Sequence, residues 1–306
     1  MSLTRFQTYS LEDFSALHDA AYHHATSSTK TTFKQGLKRI ERLYKKQLPE
    51  LKLKFLEDPA QFLKDMEASN YSHNTNLSTL TQVVKLLKIL DAPLYTYNTF
   101  LKILKEQTDS RQSLRNTEIL HNLTELPSLA TLQNKILSTN IEDINSFEEL
   151  RYLLLVSLYT LTMPIKVRNY VDMKWYDRGG KEDGNYIIKN TFHIKNYKVG
   201  SRTTTRNIHI INEFLQSIIK VWKEMNTSDY FLANQSGRPM LQKEVNRNLL
   251  SAGVFYFGQG IGTETYRHLY IRNELEKDPN LRDKIELSNT MGYGNLNMVD
   301  TLNEPL

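Results

Sequence analysis

Two groups of residues in this sequence could do chemistry on phosphate groups. One is a basic run between residues 30 and 46, and the other is the motif Thr-Tyr-Arg-His at 265–268, followed by Met-Gly-Tyr at 291–293. Arginine and lysine hold phosphate oxygens through charge-assisted hydrogen bonds, while histidine and tyrosine can move protons or attack. Both groups could therefore hold phosphate oxygens, and the second also has residue types that could transfer protons or attack.

The basic run must lie on a helix. Within residues 32–46 the apolar positions recur at the spacing of one helix face, and Glu41 is the only acid among the cations. This pattern predicts a helix with one apolar stripe and one basic face. Such a face suits DNA, although a basic helix surface that only faces solvent is equally common. The residues predicted to contact DNA here are Lys34, Lys38, Arg39 and Arg42.

Composition narrows the class of protein. The chain has 306 residues, enough for about two domains, and its 39 Lys and Arg against 34 Asp and Glu give a net charge of +5 and a pI near 9.0. It has no cysteine, which excludes disulfides and thiolate metal sites. No stretch reads as a signal peptide or a membrane span. We expect a cytoplasmic protein without a cofactor, a bound metal or a membrane partner.

The first 125 residues show helical spacing almost throughout. A polar stretch at 107–116 has no apolar face and is predicted to be an interdomain linker. The predicted helices are 11–25, 32–46, 76–90 and 95–105.

The second half mixes helices with short alternating runs of β-branched and aromatic residues. These runs, at 186–190, 191–194 and 206–211, predict a three-stranded antiparallel sheet, with turns at 177–184 and 196–205 between them. The predicted helices are 147–162, 168–175, 211–223, 242–251, 263–276 and 280–291.

Several signals in order resemble the tyrosine recombinase, or phage integrase, superfamily over residues 27–306. They are Pro-Ile-Lys-Val-Arg-Asn-Tyr at 164–170 with Met-Lys-Trp at 173–175, then a basic hairpin, then the motifs at 265–268 and 291–293. The resemblance implies a mainly α fold with a small antiparallel sheet (α+β). It also implies an N-terminal extension (1–26), a helical, SAM-like core-binding domain (27–106), a linker (107–127) and a catalytic-type domain (128–306).

The resemblance also assigns roles to single positions. In that family a tyrosine attacks a DNA phosphate, two arginines clamp it, and a hairpin lysine protonates the departing oxygen. The first arginine position falls on Lys166, with Arg168 as an alternative. The lysine position falls on Lys198, with Lys195 second, and the second arginine is Arg267.

Four of these positions depart from the family pattern in ways that remove chemistry. Lys166 lacks the bidentate fork of arginine, Glu264 replaces a histidine and would repel phosphate, Tyr293 replaces a histidine or tryptophan, and Leu302 stands where the attacking tyrosine belongs. No tyrosine follows Tyr293 in this sequence. Cleavage would need Tyr293 itself to attack, or a tyrosine from another protein. Arg267 also has a structural alternative, as a buried partner of Glu264 one helical turn away.

These departures predict a sequence-specific double-stranded DNA-binding protein on an inactive recombinase scaffold, such as a repressor of a phage or mobile element. The alternatives are a divergent active recombinase and a helical interaction protein without a DNA role. Because the chain ends four residues after Leu302, we expect a monomer or DNA-templated dimer without a stable tetramer. We expect it at the nucleoid of a bacterium or phage-infected host cell. The predicted phosphate contacts of the second half are Lys166, Arg168, Lys198, Arg202, Arg206, Arg238, Lys243, Arg247 and Arg267.

Overall fold

The structure, a computed structural model, describes residues 8–179, 184–199, 202–293 and 296–303, with the backbone alone at residues 196, 198, 199 and 202. The chain divides into two compact units, Met1–Arg115 and Asn116–Leu306. Each unit has its own buried apolar core, as the chain length predicts.

The first unit is helical. Two of its helices begin where the sequence offers capping hydroxyls, because the side chains of Thr26 and Ser72 accept hydrogen bonds from backbone N–H groups of the first turn. Gly36 lets two of these helices approach closely, since a Cβ there would lie 2.6 Å from the Gln82 side chain. The helices are α1 (Leu11–Ala21), α2 (Ser27–Tyr44), α3 (Leu48–Leu51), α4 (Pro59–Glu67), α5 (His73–Ile89) and α6 (Leu94–Thr124).

Helix α6 differs from the sequence prediction. The prediction ended this helix near residue 105 and placed a linker at 107–127, but α6 continues to Thr124. The division between the two units falls inside it, between Arg115 and Asn116. The segment is therefore mostly helical, and the domain bounds taken from the resemblance stay predictions.

The second unit surrounds α8, whose residues from Leu153 to Thr160 are all buried. Four neighbouring helices pack on it, which explains why this buried part of the helix has no charged residue. The helices of this unit are α7 (Leu129–Leu137), α8 (Phe147–Thr160), α9 (Val167–Val171), α10 (Glu213–Met225), α11 (Gln242–Phe257), α12 (Thr263–Leu275), α13 (Leu281–Thr290) and α14 (Asn297–Leu302).

A four-stranded mixed sheet belongs to the second unit, so the prediction of a three-stranded antiparallel sheet is corrected. The strands run in the order β1 (Lys174–Trp175), β2 (Tyr186–Ile188), β3 (Thr191–Val199) and β4 (Arg202–His209). Strand β1 pairs parallel to β2, and the other pairs are antiparallel. The predicted helix 168–175 therefore ends at Val171 and is followed by a strand.

The strands β3 and β4 form a longer hairpin than predicted. Most of the segment 196–205, predicted as a turn, continues the two strands, with a register shift between Ile194 and Tyr197. Its run of threonines has the β-branched side chains that strands favour. The turn before β3 is tight, because Lys189 and Asn190 both have positive φ angles, as a two-residue type I′ turn requires.

The mainly helical fold class with a small sheet is confirmed. Among the described residues, no helix is both long and apolar enough to cross a membrane.

Candidate DNA-binding site

The first part of the site is set by the start of α9. Ile165 is buried and fixes the chain just before the helix, and Lys166 is the N-terminal cap residue of α9. The Nζ of Lys166 donates a hydrogen bond to the carbonyl of Gly292 at 2.9 Å. Arg168 follows in the same helix and is half-buried. The structure therefore keeps both candidates for the first arginine position beside the segment that follows α13.

Arg267 lies in the second turn of α12 and is 1% exposed. Its Nη1 donates to both carboxylate oxygens of Glu264, at 2.8 and 2.7 Å, and its Nη2 donates to the carbonyl of Met291. This guanidinium thus joins α12 to the end of α13 through groups of the protein itself. The geometry agrees with the structural alternative for Arg267, and a phosphate contact by this residue stays a prediction.

Tyr293 completes this cluster. Its ring centroid lies 4.9 Å from Cζ of Arg267, and its hydroxyl donates to Oε2 of Glu264 at 3.3 Å. Burial favours a raised pKa for Glu264, but the positive charge and hydrogen bonds of Arg267 outweigh it and hold the pKa below its ordinary value of 4.5. The Glu264 side chain is nevertheless 52% exposed, so the ion pair has one buried and one solvated end.

These groups border an open cleft of about 630 Å³ in the second unit. Cations and the carboxylate of Glu264 share its walls, so its field is mixed and not purely attractive to phosphate. The residues of the lining are Lys166, Val167, Arg168, Gln242, Asn246, Thr263, Glu264, Gly292 and Tyr293.

The basic hairpin is anchored to the same region. Arg206 in β4 donates a hydrogen bond to the Thr290 hydroxyl, and the hydroxyl of Tyr197 in β3 donates to the Thr290 carbonyl. The side chains of Lys198 and Arg202, both predicted to hold phosphate, lie outside the described residues. Their roles stay predictions.

Leu302, at the position of the attacking tyrosine, ends α14. Its side chain is 2% exposed and belongs to the apolar core of the second unit. Its neighbour Thr301 accepts a hydrogen bond from Asn116 at 2.9 Å, which holds this short helix to α6. The position predicted for the nucleophile therefore serves packing.

The predicted contacts on α2 have different surroundings. Lys38 and Arg42 are exposed, whereas Lys34 pairs with Glu12 at 3.3 Å and Nη1 of Arg39 donates to the Thr79 hydroxyl at 3.3 Å. In the second unit, Arg238, Lys243 and Arg247 are also exposed.

The sequence reasoning missed Gln242, Asn246 and Thr263, which line the cleft. The available signal was the start of the predicted helix at 242, whose polar first turn marks an exposed face. In the part of the chain that the structure describes, no cluster of three or more His, Asp or Glu side chains could hold a metal ion.

Comparison with known proteins shows which solved structures share this fold. No protein-family model and no curated protein matches the chain. The Tn1549 transposon integrase, solved in complex with transposon right end DNA, superposes with a TM-score of 0.59 at 12% identity, over 97% of this chain and 96% of that chain. The XerH site-specific recombinase, solved on its palindromic difH substrate, gives 0.53 at 13% identity, over 96% and 80%. The chain has the tyrosine recombinase fold.

Within this recombinase fold, four of the positions singled out by the resemblance meet in one place. Lys166, Arg168, Glu264 and Tyr293 share the cleft, and Arg267 lies buried behind Glu264 and Tyr293. Leu302 is part of the core. The assignment of chemical roles to these positions stays a prediction.

Proposed function

We propose that this chain binds double-stranded DNA in a sequence-specific way and does not cut it. The observation that carries the proposal is the ion pair between Arg267 and Glu264. The guanidinium at the position that would clamp a scissile phosphate already holds both oxygens of a carboxylate, at 2.8 and 2.7 Å. A phosphate arriving there would meet the negative charge of Glu264 as well as the positive charge of Arg267.

The groups available for attack support the same proposal. Leu302 has no nucleophile and is buried in the core. Tyr293 lines the cleft, but its hydroxyl donates a hydrogen bond to Glu264, and its ring rests against Arg267. An attacking tyrosine oxygen has to reach a phosphate, and the negative charge of Glu264 beside this hydroxyl would repel that phosphate.

Support for DNA as the partner comes from exposed cations and from the structural neighbours. Lys38 and Arg42 on α2, and Lys243 and Arg247 on α11, are all exposed. The solved integrase and XerH structures of this fold hold DNA. Together with the net charge of +5, these features favour binding to DNA phosphates. Each phosphate contact should make the affinity more dependent on salt concentration.

The biological role that fits binding without cleavage is regulation, as in a repressor of a phage or mobile element. In this proposal the chain acts as a monomer or as a dimer assembled on DNA, at the nucleoid of its host. The competing proposal is an active recombinase that uses Tyr293, because the ring of this tyrosine lies against Arg267 and the residue lines the cleft.

The test combines binding with trapping of a covalent intermediate. The protein is incubated with genomic fragments at ~50 mM salt in mobility-shift assays. It is then incubated with suicide substrates that carry a nick within the bound fragment. We expect a shifted complex and no covalent protein–DNA adduct.

An adduct that forms with the native protein and disappears in Tyr293→Phe would establish the active recombinase instead. An adduct that persists in Tyr293→Phe would identify another nucleophile and also contradict the proposal. Absence of any shifted complex would favour a helical interaction protein.

A further inference from the structure

Helix α11 presents two side-chain amides at the cleft. Gln242 and Asn246 are four residues apart, so they lie on the same face of the helix, and both are exposed and line the cleft beside Lys166 and Arg168. Within the described part of the chain, neither side-chain amide makes a hydrogen bond to the protein. Both amides are therefore available to a ligand.

A buried amide of the same helix shows the contrast. The Nδ2 of Asn248 donates to the carbonyl of Glu244 at 2.7 Å, and Asn248 is buried. Asn248 is used within the protein, as buried polar groups usually are. The absence of hydrogen bonds from the Gln242 and Asn246 amides to the protein is thus a property of the helix face on which they lie.

Each amide is followed by a cation. Lys243 follows Gln242 and Arg247 follows Asn246, and both cations are exposed. On a helix, adjacent residues are about 100° apart, so an amide stripe and a cationic stripe run side by side along α11. This is the arrangement of a helix that sets one stripe toward base edges and the other toward phosphates.

The start of α11 is also held by a hydrogen bond between the backbone and a side chain. The carboxylate of Glu244 accepts a hydrogen bond from the backbone N–H of Leu241 at 2.6 Å, in a capping arrangement. The acid in the first turn is thereby tied to the backbone of the helix start. The amides project from a fixed turn, which favours selective recognition because little order has to be gained on binding.

We infer that Gln242 and Asn246 read adenine bases in the major groove, while Lys243 and Arg247 hold the flanking phosphates. A side-chain amide presents one acceptor and one donor side by side, which matches N6 and N7 of adenine. The inference rests on the proposed function. It adds that α11 prefers A·T base pairs in the DNA that it contacts.

The experiment is selection from a library of randomised double-stranded DNA with the full-length protein, followed by affinity measurement on the selected sites. We expect enriched adenine at one or two fixed positions. Asn246→Ala and Gln242→Ala should each reduce the preference for adenine at one position by about 5- to 100-fold and leave the other positions unchanged. Asn246→Arg should move that preference from adenine to guanine, because arginine pairs with O6 and N7 of guanine.

The matched control is Lys243→Ala, which lies next to the amide stripe. It should weaken binding to all sequences alike and lower the slope of log affinity against log salt by about one. Melting temperatures of all variants should stay near the native value, since every changed side chain is exposed.

The outcomes separate the two proposals. If the native protein selects a sequence and both alanine variants keep the same preference at every position, the inference is wrong and DNA binding stands. Selection of sites without adenine enrichment would also overturn it. If the native protein binds no DNA in the library, the inference fails together with the proposed function.

Discussion

Two cations of α2 and the arginine of α12 have the same sign of charge and opposite surroundings. Lys38 and Arg42 are exposed on a helix face in the first unit. Arg267 in the second unit is 1% exposed and is bonded to Glu264 and Met291. Lys38 and Arg42 are available to a partner, whereas the charge of Arg267 is already neutralised by Glu264. The difference teaches that a basic residue indicates a phosphate site only after its internal partners are known.

Replacing Arg267 should show the largest effect. We expect Arg267→Ala to lower the free energy of unfolding by about 3 kcal/mol, because the change leaves a cavity and removes the donor to the Met291 carbonyl. The half-exposed Glu264 can hydrate, which keeps the loss at the low end for a buried pair. Chemical denaturation measures it. Arg247→Ala, at an exposed arginine of α11, should stay within about 0.5 kcal/mol of the native protein; similar losses in both variants would erase the contrast.

The exposed face of α2 should give the opposite result. The double variant Lys38→Ala with Arg42→Ala should keep native stability within about 0.5 kcal/mol. It should lower the slope of log DNA affinity against log salt by about two, because two phosphate contacts are lost. Lys102→Ala, an exposed lysine of α6 outside the predicted contacts, is the control and should leave the slope unchanged. A slope that does not change in the double variant would mean that this basic face only faces solvent.

The Glu264 carboxylate should make the buried pair sensitive to pH. Because the pKa of Glu264 in the folded state is below its ordinary value of 4.5, its contribution to stability is present above that pH. The contribution is lost as the pH falls through the folded-state pKa. We expect Glu264→Gln to melt below the native protein at pH 7, and the difference to shrink as the pH falls below 4.5. Melting curves measured between pH 3 and 7 test this, and a constant difference would show that the charge is not responsible.

Removing the hydroxyl of Tyr293 should have the smallest effect. Tyr293→Phe loses one long hydrogen bond to Glu264 and keeps the ring against Arg267, so we expect a loss of about 0.5 kcal/mol or less. Tyr293→Ala also removes the ring and should cost roughly 1 kcal/mol more. Equal losses in the two variants would show that the ring does not stabilise the guanidinium.

Local patterns predicted the helices well where apolar spacing was strong. The apolar stripes of α2 and α5 and the long apolar run of α8 predict these helices, because they are properties of residues close together in the sequence. The prediction ended helix α6 too early because residues 107–116 lack an apolar face. Residues such as Arg111 and Leu114 nevertheless favour a helix through their intrinsic propensity. Strand β1 has two residues and pairs with β2 across an intervening segment, so no local pattern could reveal it.

The part of the site that depends on residues close together in the sequence was also predictable. The pairing of Glu264 with Arg267 was foreseen as an alternative because the residues are three apart on one helix. The bond from Arg267 to the Met291 carbonyl joins two helices and depends on tertiary packing. The amides of α11 reach the cleft for a similar reason, since their neighbours Lys166 and Arg168 are distant in sequence.

The burial of Leu302 bears on what it would take to place a tyrosine at the position that the resemblance assigns to the nucleophile. A single substitution, Leu302→Tyr, would add a larger ring and a hydroxyl to a position that is 2% exposed. The extra volume would strain the packing around α14, and a hydroxyl left without a partner there would be destabilising. A tyrosine at this position would therefore require several compensating changes in the core. Under the proposed function, a core packed in this way makes a change from cutting DNA to only binding it hard to reverse in evolution.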